Sequence, residues 1–194
     1  MIPSRTDPPS NDGATIARRQ VLRVGAAAAI VAMLPGRVRA TAITAAPAGR
    51  TLSLSNVHTG ERLRATYWEG GRYLPDALHE INHCLRDYRN GQCIDIDVGL
   101  LDLLHELRAS MDTRESFTVI SGYRSPATNE ALRRAGHGVA AQSLHTRGMA
   151  IDVRLPGRSL TALRRSAIAL RRGGVGYYPA DDFVHVDVGR VRYW

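Results

Sequence analysis

The chain of 194 residues contains no lysine, so every one of its 26 basic side chains is an arginine. These arginines are scattered and interleaved with acids instead of gathered on one stretch, which argues against a nucleic-acid footprint. Cysteine is scarce as well. Cys84 and Cys93 are the two, and neither sits in a CxxC, which excludes a structural zinc knuckle. In an oxidising compartment they could pair across a short loop. Alternatively, Cys84 is a buried small hydrophobe and Cys93 an independent loop residue. No internal repeat is visible. Long apolar runs are also missing: the longest, Val24 to Leu34, is eleven residues, against the roughly 20 that span a bilayer as a helix.

That run has a context. Arg18 and Arg19 precede it and Val38-Arg39-Ala40 follows it, the charged, apolar and small-residue regions of an export signal. Paired arginines before a weakly hydrophobic, alanine-rich core point to the twin-arginine route. Residues 1–40 are therefore expected to be a signal peptide cleaved after Ala40, 41–50 a flexible tether, and 51–194 one folded domain. From Thr41 onward 20 basic and 16 acidic side chains remain. The resulting modest positive charge suits an anionic polymer better than nucleic acid. No stable membrane span is expected after signal cleavage, and the mature protein is expected to be a monomer in the periplasm.

Within the domain, Thr51–Ser55 and Arg62–Trp68 alternate like the arms of a β-hairpin. A helix is expected from Pro75 to Tyr88, a second from Val98 to Met111 and a short one from Thr128 to Arg134. A fourth is expected from Leu160 to Arg172, with Ser159 as its N-cap and Gly173-Gly174 as its stop. Phe117–Ser121, Met149–Arg154, Val175–Tyr178 and Phe183–Val188 read as strands. Helices precede most of the strands, so the fold class is α+β. We expect a small antiparallel sheet carrying a zinc site, with helices packed mainly on one side.

His79-Glu80-Ile81-Asn82-His83 matches the HExxH pattern of zinc-binding helices. At 100° per residue, however, the apolar stripe of this helix centres near Ile81 and Leu85. His79 and His83 then point the opposite way, into solvent. The pattern is read as a hydrated helix face.

A second set of residues is better placed. His145 stands in a loop, and Asp152 follows in a strand led by Met149-Ala150-Ile151. His185 lies in another strand, where it shares a face with Phe183 and Asp187 by the period of two. Two neutral imidazoles and one carboxylate make a three-ligand zinc site with a fourth position left for water, the arrangement of catalytic zinc. Such a site needs a nearby group to move protons. Asp182, three residues before His185, and Asp187, two after it, are the candidates. Arg124, in a tight loop after a buried strand, could hold a substrate carboxylate or a developing oxyanion.

Three stretches carry a family resemblance: Ser121-Gly-Tyr-Arg-Ser-Pro-Ala-Thr-Asn129, Ser143-Leu-His-x-x-Gly-x-Ala-Ile-Asp152, and Gly174-Val-Gly-Tyr-Tyr-Pro with Phe183-Val-His-Val-Asp187-x-Gly189. In this order they resemble the murein endopeptidase K-like proteins. Those belong to the superfamily of lysostaphin, the D-alanyl-D-alanine metallopeptidases and the Hedgehog signalling domain. The resemblance covers residues 51–194. It implies one Zn²⁺ held by His145, Asp152 and His185, and hydrolysis of peptide cross-links in peptidoglycan. In the D-alanyl-D-alanine branch an acid three residues before the last ligand is the base, a spacing that Asp182 occupies. The additional base-side histidine of some relatives would fall near Ala180 or Phe183, where this chain has none. Carboxypeptidase action, or zinc-dependent wall binding without hydrolysis as in the Hedgehog case, are the competing expectations.

Overall fold

A computed structural model describes residues 49–136 and 138–194. The expected signal peptide, and all of the expected tether before Gly49, lie outside the described residues. The elements run β1 (Arg50–Asn56), β2 (Arg62–Glu69), β3 (Arg72–Tyr73), α1 (Pro75–Cys84), α2 (Val98–Ser110), β4 (Phe117–Ser121) and α3 (Pro126–Arg134). After a 3-10 turn at Leu144–Arg147 come β5 (Ala150–Arg154), α4 (Leu160–Leu170), β6 (Gly174–Tyr178), β7 (Phe183–Asp187) and β8 (Arg192–Tyr193). All strands join one eight-stranded sheet in the order β3-β2-β1-β4-β5-β7-β6-β8. The α+β class holds, but the sheet is neither small nor wholly antiparallel. β1 pairs with β4, and β6 with β8, in parallel. The first parallel pair needs a long crossover, and the segment carrying α1 and α2 supplies it.

Period-two alternation sorts the sheet into two faces. Leu52 and Leu54 of β1, Phe117 and Val119 of β4, Ile151 and Val153 of β5, and Val184 and Val186 of β7 all join one buried core. α2 closes that core with Leu100, Leu101, Leu103, Leu104 and Leu107, all buried, and packs on both β1 and α4. Each such side chain contributes about 1.5–3 kcal/mol by leaving water. The alternate residues, Asp152 on β5 and His185 on β7, face the other way. Their strands pair so that the two residues stand opposite each other. On β4 a register shift between Val119 and Ser121 brings Ser121 opposite Asp152. A bulge beside a site, re-aiming one side chain, is a common use of this irregularity.

Ser159 caps α4 as expected, accepting from Ala162 N at 3.2 Å, but the helix stops at Leu170. Arg171 takes the left-handed conformation (φ 52°) before the glycines are reached. α1 ends at Cys84, earlier than its apolar stripe suggested, because Asp87 organises a separate turn. The Asp87 carboxylate accepts from Arg89 N at 3.1 Å, and its carbonyl accepts from Gly91 N at 2.7 Å. Aspartate draws backbone N–H groups in this way and competes with helix continuation. β1 begins at Arg50, inside the stretch expected as tether. Both cysteines are free; Cys84 is buried and its thiol is pushed up to about 11 by burial, whereas Cys93 is exposed. Among the described residues no helix is long and apolar enough to cross a membrane.

One polar knot ties the N-terminal strands to α2. Asp102 accepts from Tyr67 Oη at 2.8 Å and Tyr73 Oη at 2.9 Å, and pairs with Arg50 at 2.7 Å. Burial alone would raise its carboxyl, but the bonds from Arg50, Tyr67 and Tyr73 outweigh it and hold the pKa below the ordinary 3.8. A depressed carboxyl stabilises the fold fully above its unfolded pKa near ~4, and that contribution is lost as pH falls through the folded value. Asp102→Asn should therefore cost about 1–3 kcal/mol at pH 7. The deficit relative to wild type should shrink at pH 3, as denaturant unfolding at the two pH values would reveal.

Candidate metal centre

His145 lies in the 3-10 turn, which ends on Gly148 in the left-handed conformation (φ 66°). A Cβ at Gly148 would come within 2.8 Å of Asp95 O, so the turn can sit this close to the segment before α2 only with glycine there. The imidazole is buried, 2 % exposed. Its Nδ1–H donates to Gly122 O at 2.7 Å, which leaves Nε2 as a lone pair facing inward. His185 is held in the opposite sense. Its Nε2–H donates to Asp187 Oδ2 at 3.1 Å and its Nδ1 faces inward. Asp152 completes the set. Arg124 Nη2 donates to its Oδ2 at 2.6 Å, leaving Oδ1 to point at both rings.

The three inward atoms form a triangle. Its edges are 2.8 Å from His185 Nδ1 to Asp152 Oδ1, 3.2 Å from His145 Nε2 to the same oxygen, and 3.2 Å between the two nitrogens. Three ligand atoms on a tetrahedral zinc, each about 2.0–2.2 Å from the metal, stand about 3.3–3.6 Å apart. The triangle is therefore close to the size a zinc ion requires. The supporting bonds have the right chemistry too, since metal-binding histidines donate their outer N–H to a carboxylate or carbonyl.

Electrostatics favours the same assignment. Burial lowers the His145 pKa despite the nearby Asp152, which keeps the ring neutral. Burial alone would raise Asp152, but the two histidines outweigh it and hold the carboxyl far below its usual range. For His185, burial pulls the pKa down, yet its bonds to Asp152 and Asp187 win and raise it. Proton and metal ion compete for its Nδ1.

Among the described residues these are the one group of His, Cys, Asp and Glu side chains whose ligand atoms converge, all within 4.8 Å. His79, Glu80 and His83 of the HExxH match are exposed on α1, as the helical-face argument expected. The triangle lies in a cavity of about 790 Å³. Arg124 lines this cavity, and its Nε also donates to Ser121 Oγ at 2.9 Å. The two candidate bases are placed elsewhere. Asp187 is wholly buried and accepts from Gly174 N, Gly189 N, Arg192 and His185. It orients His185 from behind. Asp182 is exposed, ion-paired with Arg154, and outside the cavity lining, which its neighbour Asp181 joins.

Several contributors were not singled out from sequence. Gly122 supplies the carbonyl for His145, and a Cβ there would meet Leu85 O at 2.5 Å. Trp194 packs on Gly176, with its ring 5.3 Å from that of His185. His58, Tyr88 and Arg89 also line the cavity. Gly122 had a sequence signal, since it lies in the Ser121–Asn129 stretch that carries the family resemblance.

Two histidines and an aspartate converging on one face of an α+β sheet, with their outer bonds satisfied, form a candidate metal site, and the family match makes the chain a peptidase. The chain belongs to the family described as peptidoglycan L,D-endopeptidase MepK, whose pattern matches residues 44–194. It is 44 % identical over 177 residues to the peptidoglycan L,D-endopeptidase MepK of Escherichia coli (strain K12), covering 91 % of this chain and 96 % of that relative. A protein of Haemophilus influenzae named probable peptidoglycan L,D-endopeptidase MepK is 38 % identical over 178 residues, covering 91 % and 95 %.

The tight approach at Gly122 gives a direct test of how His145 is held. Gly122→Ala should destabilise the fold by about 1–3 kcal/mol, because the Leu85 carbonyl is backbone and cannot move aside cheaply. Thermal unfolding against wild type would measure this, and an unchanged melting temperature would contradict the packing described.

Proposed function

We propose that the protein is a zinc-dependent endopeptidase that hydrolyses L,D peptide cross-links of peptidoglycan, outside the cytoplasm, after export by the twin-arginine route. One observation carries the reading: the inward triangle of His145 Nε2, His185 Nδ1 and Asp152 Oδ1, each fixed from behind. The cross-link type is supported by the printed activity of the relatives. The export route is supported by Arg18-Arg19 and the short apolar run after them.

His145, Asp152 and His185 would hold the zinc, and when bound it supplies Lewis-acid polarisation and a nucleophile at neutral pH. The chain's own groups do the rest. Arg124 holds Asp152 with Nη2 and Ser121 with Nε, and its remaining N–H groups can donate to an oxygen of the substrate carbonyl. Asp187 keeps His185 in one tautomer. With four donors already on it and its pKa held low, it is a positioning residue and not the proton acceptor. Proton transfer falls to the acidic turn between β6 and β7. Its Asp181 lines the cavity, and its Asp182 has the spacing given by the family resemblance.

The purified protein should hold about one zinc per chain and release cross-linked muropeptides as monomers. A chelator should abolish cleavage, and added zinc should restore it. Asp187→Asn should weaken zinc binding about 10–100-fold, the usual effect of removing such a support, as competition with a chromogenic chelator would measure. Asp181→Asn and Asp182→Asn should keep the metal, and the one that loses kcat identifies the acceptor. If both retain full kcat, the assignment of proton transfer to this turn is wrong.

A further inference from the structure

The cavity contains more charge than the metal triangle uses. Three arginines line it, and two are committed: Arg124 to Asp152 and Arg192 to Asp187. Arg89 is different. It is exposed, and among the described residues no carboxylate pairs with it.

Its position is nevertheless built. The guanidinium lies over the Tyr88 ring at 4.2 Å, and Tyr88 in turn stacks on His58 at 3.7 Å and 11°. Both ends of this stack are anchored. His58 Nε2 is 3.0 Å from Ile120 O, and His58 N donates to Asn56 Oδ1 at 2.9 Å. Arg89 N donates to the buried Asp87, which also accepts from Ser125 N at 2.9 Å. A guanidinium resting over an aromatic ring still has N–H donors to offer a planar acceptor.

Strand order places this stack relative to the metal triangle. His58 follows β1, two strands to one side of Asp152 on β5, while Tyr178 on β6 lies two strands to the other side. His58 Nε2 reaches Ile120 O on β4, one residue before Ser121, which stands opposite Asp152, so the stack and the metal triangle border the same cavity. A peptide held at the triangle can therefore extend along this cavity toward Arg89.

We infer that Arg89, held on the Tyr88–His58 stack, is a specificity-determining residue that binds a free carboxylate on one arm of the cross-linked peptide. The inference rests on the peptidoglycan reading above and adds the recognition of one arm. A planar fork with no internal partner matches a carboxylate in both shape and charge. Peptide arms that carry uncoupled carboxylates, as diamino-acid stems do, supply such a group, and amidated stems do not.

The test compares zinc-loaded wild type with Arg89→Gln on two defined cross-linked peptide dimers, one with free carboxylates and one with those groups as carboxamides. For the carboxylate dimer the variant should raise KM about three- to tenfold and leave kcat within about twofold. For the carboxamide dimer the two proteins should have equal KM. Arg89→Lys should recover part of the loss, because it keeps the charge but not the stacked fork. Equal losses on both dimers, or no loss on either, would overturn the inference. If wild type cleaves neither dimer, the peptidoglycan reading fails instead. Calorimetric binding of the free-carboxylate monomer peptide to wild type and Arg89→Gln then decides the Arg89 assignment alone: weaker binding by the variant supports it, and equal binding refutes it.

Discussion

The site depends on hydrogen bonds made behind the metal-facing atoms. Gly122 O takes the Nδ1–H of His145, and Asp187 takes the Nε2–H of His185. Without those two acceptors each imidazole could present either nitrogen, and the triangle with Asp152 would be one arrangement among several. With them, one lone pair from each ring is committed to the centre. Arg124 plays the same part for Asp152 by occupying Oδ2. The metal-facing chemistry of three residues is thus decided by groups that never need to touch the metal.

Those supports are in turn fixed by close backbone packing. Gly122 lies against Leu85, and Tyr123 N donates to Leu85 O at 2.8 Å, so the end of α1 positions the carbonyl that orients His145. Gly173 and Gly174 lie against Asp187, where a Cβ would come within 1.8 Å and 2.4 Å of its atoms. Asp187 can therefore be wholly buried and still accept from Gly174 N at 3.0 Å and Gly189 N at 2.8 Å. Glycines are required here for proximity, independent of any turn. Burial also makes these bonds count, because an unpaired carboxylate in that position would be prohibitively costly.

Much of this was legible in the sequence, for physical reasons. The period of two placed His185 and Asp187 on one strand face, and the period of 3.6 turned His79 and His83 toward solvent; both arguments use only local geometry. What local geometry cannot supply is strand order. The parallel pairing of β1 with β4 spans about sixty residues of intervening chain, and the expected small antiparallel sheet was too simple for that reason. The stack of His58, Tyr88 and Arg89 was invisible on the same ground, since it joins a hairpin turn to the loop after α1. Tyr88 fitted the apolar stripe of α1 by spacing, yet it lies beyond the helix, because Asp87 captures the backbone first. The spacing that singled out Asp182 was correct as spacing. Its side chain is nevertheless taken by Arg154, two residues after Asp152 on the same strand.

In the proposed enzyme, His145 Nε2, His185 Nδ1 and Asp152 Oδ1 are the atoms that bind a zinc ion. The most direct measurement is a crystal structure of the zinc-loaded protein with anomalous data at the zinc edge. One anomalous peak bonded to those three atoms is expected, with His145 Nδ1 still on Gly122 O and His185 Nε2 still on Asp187. A peak at His79 and His83, or one bonded through the outer nitrogens of His145 and His185, would contradict it.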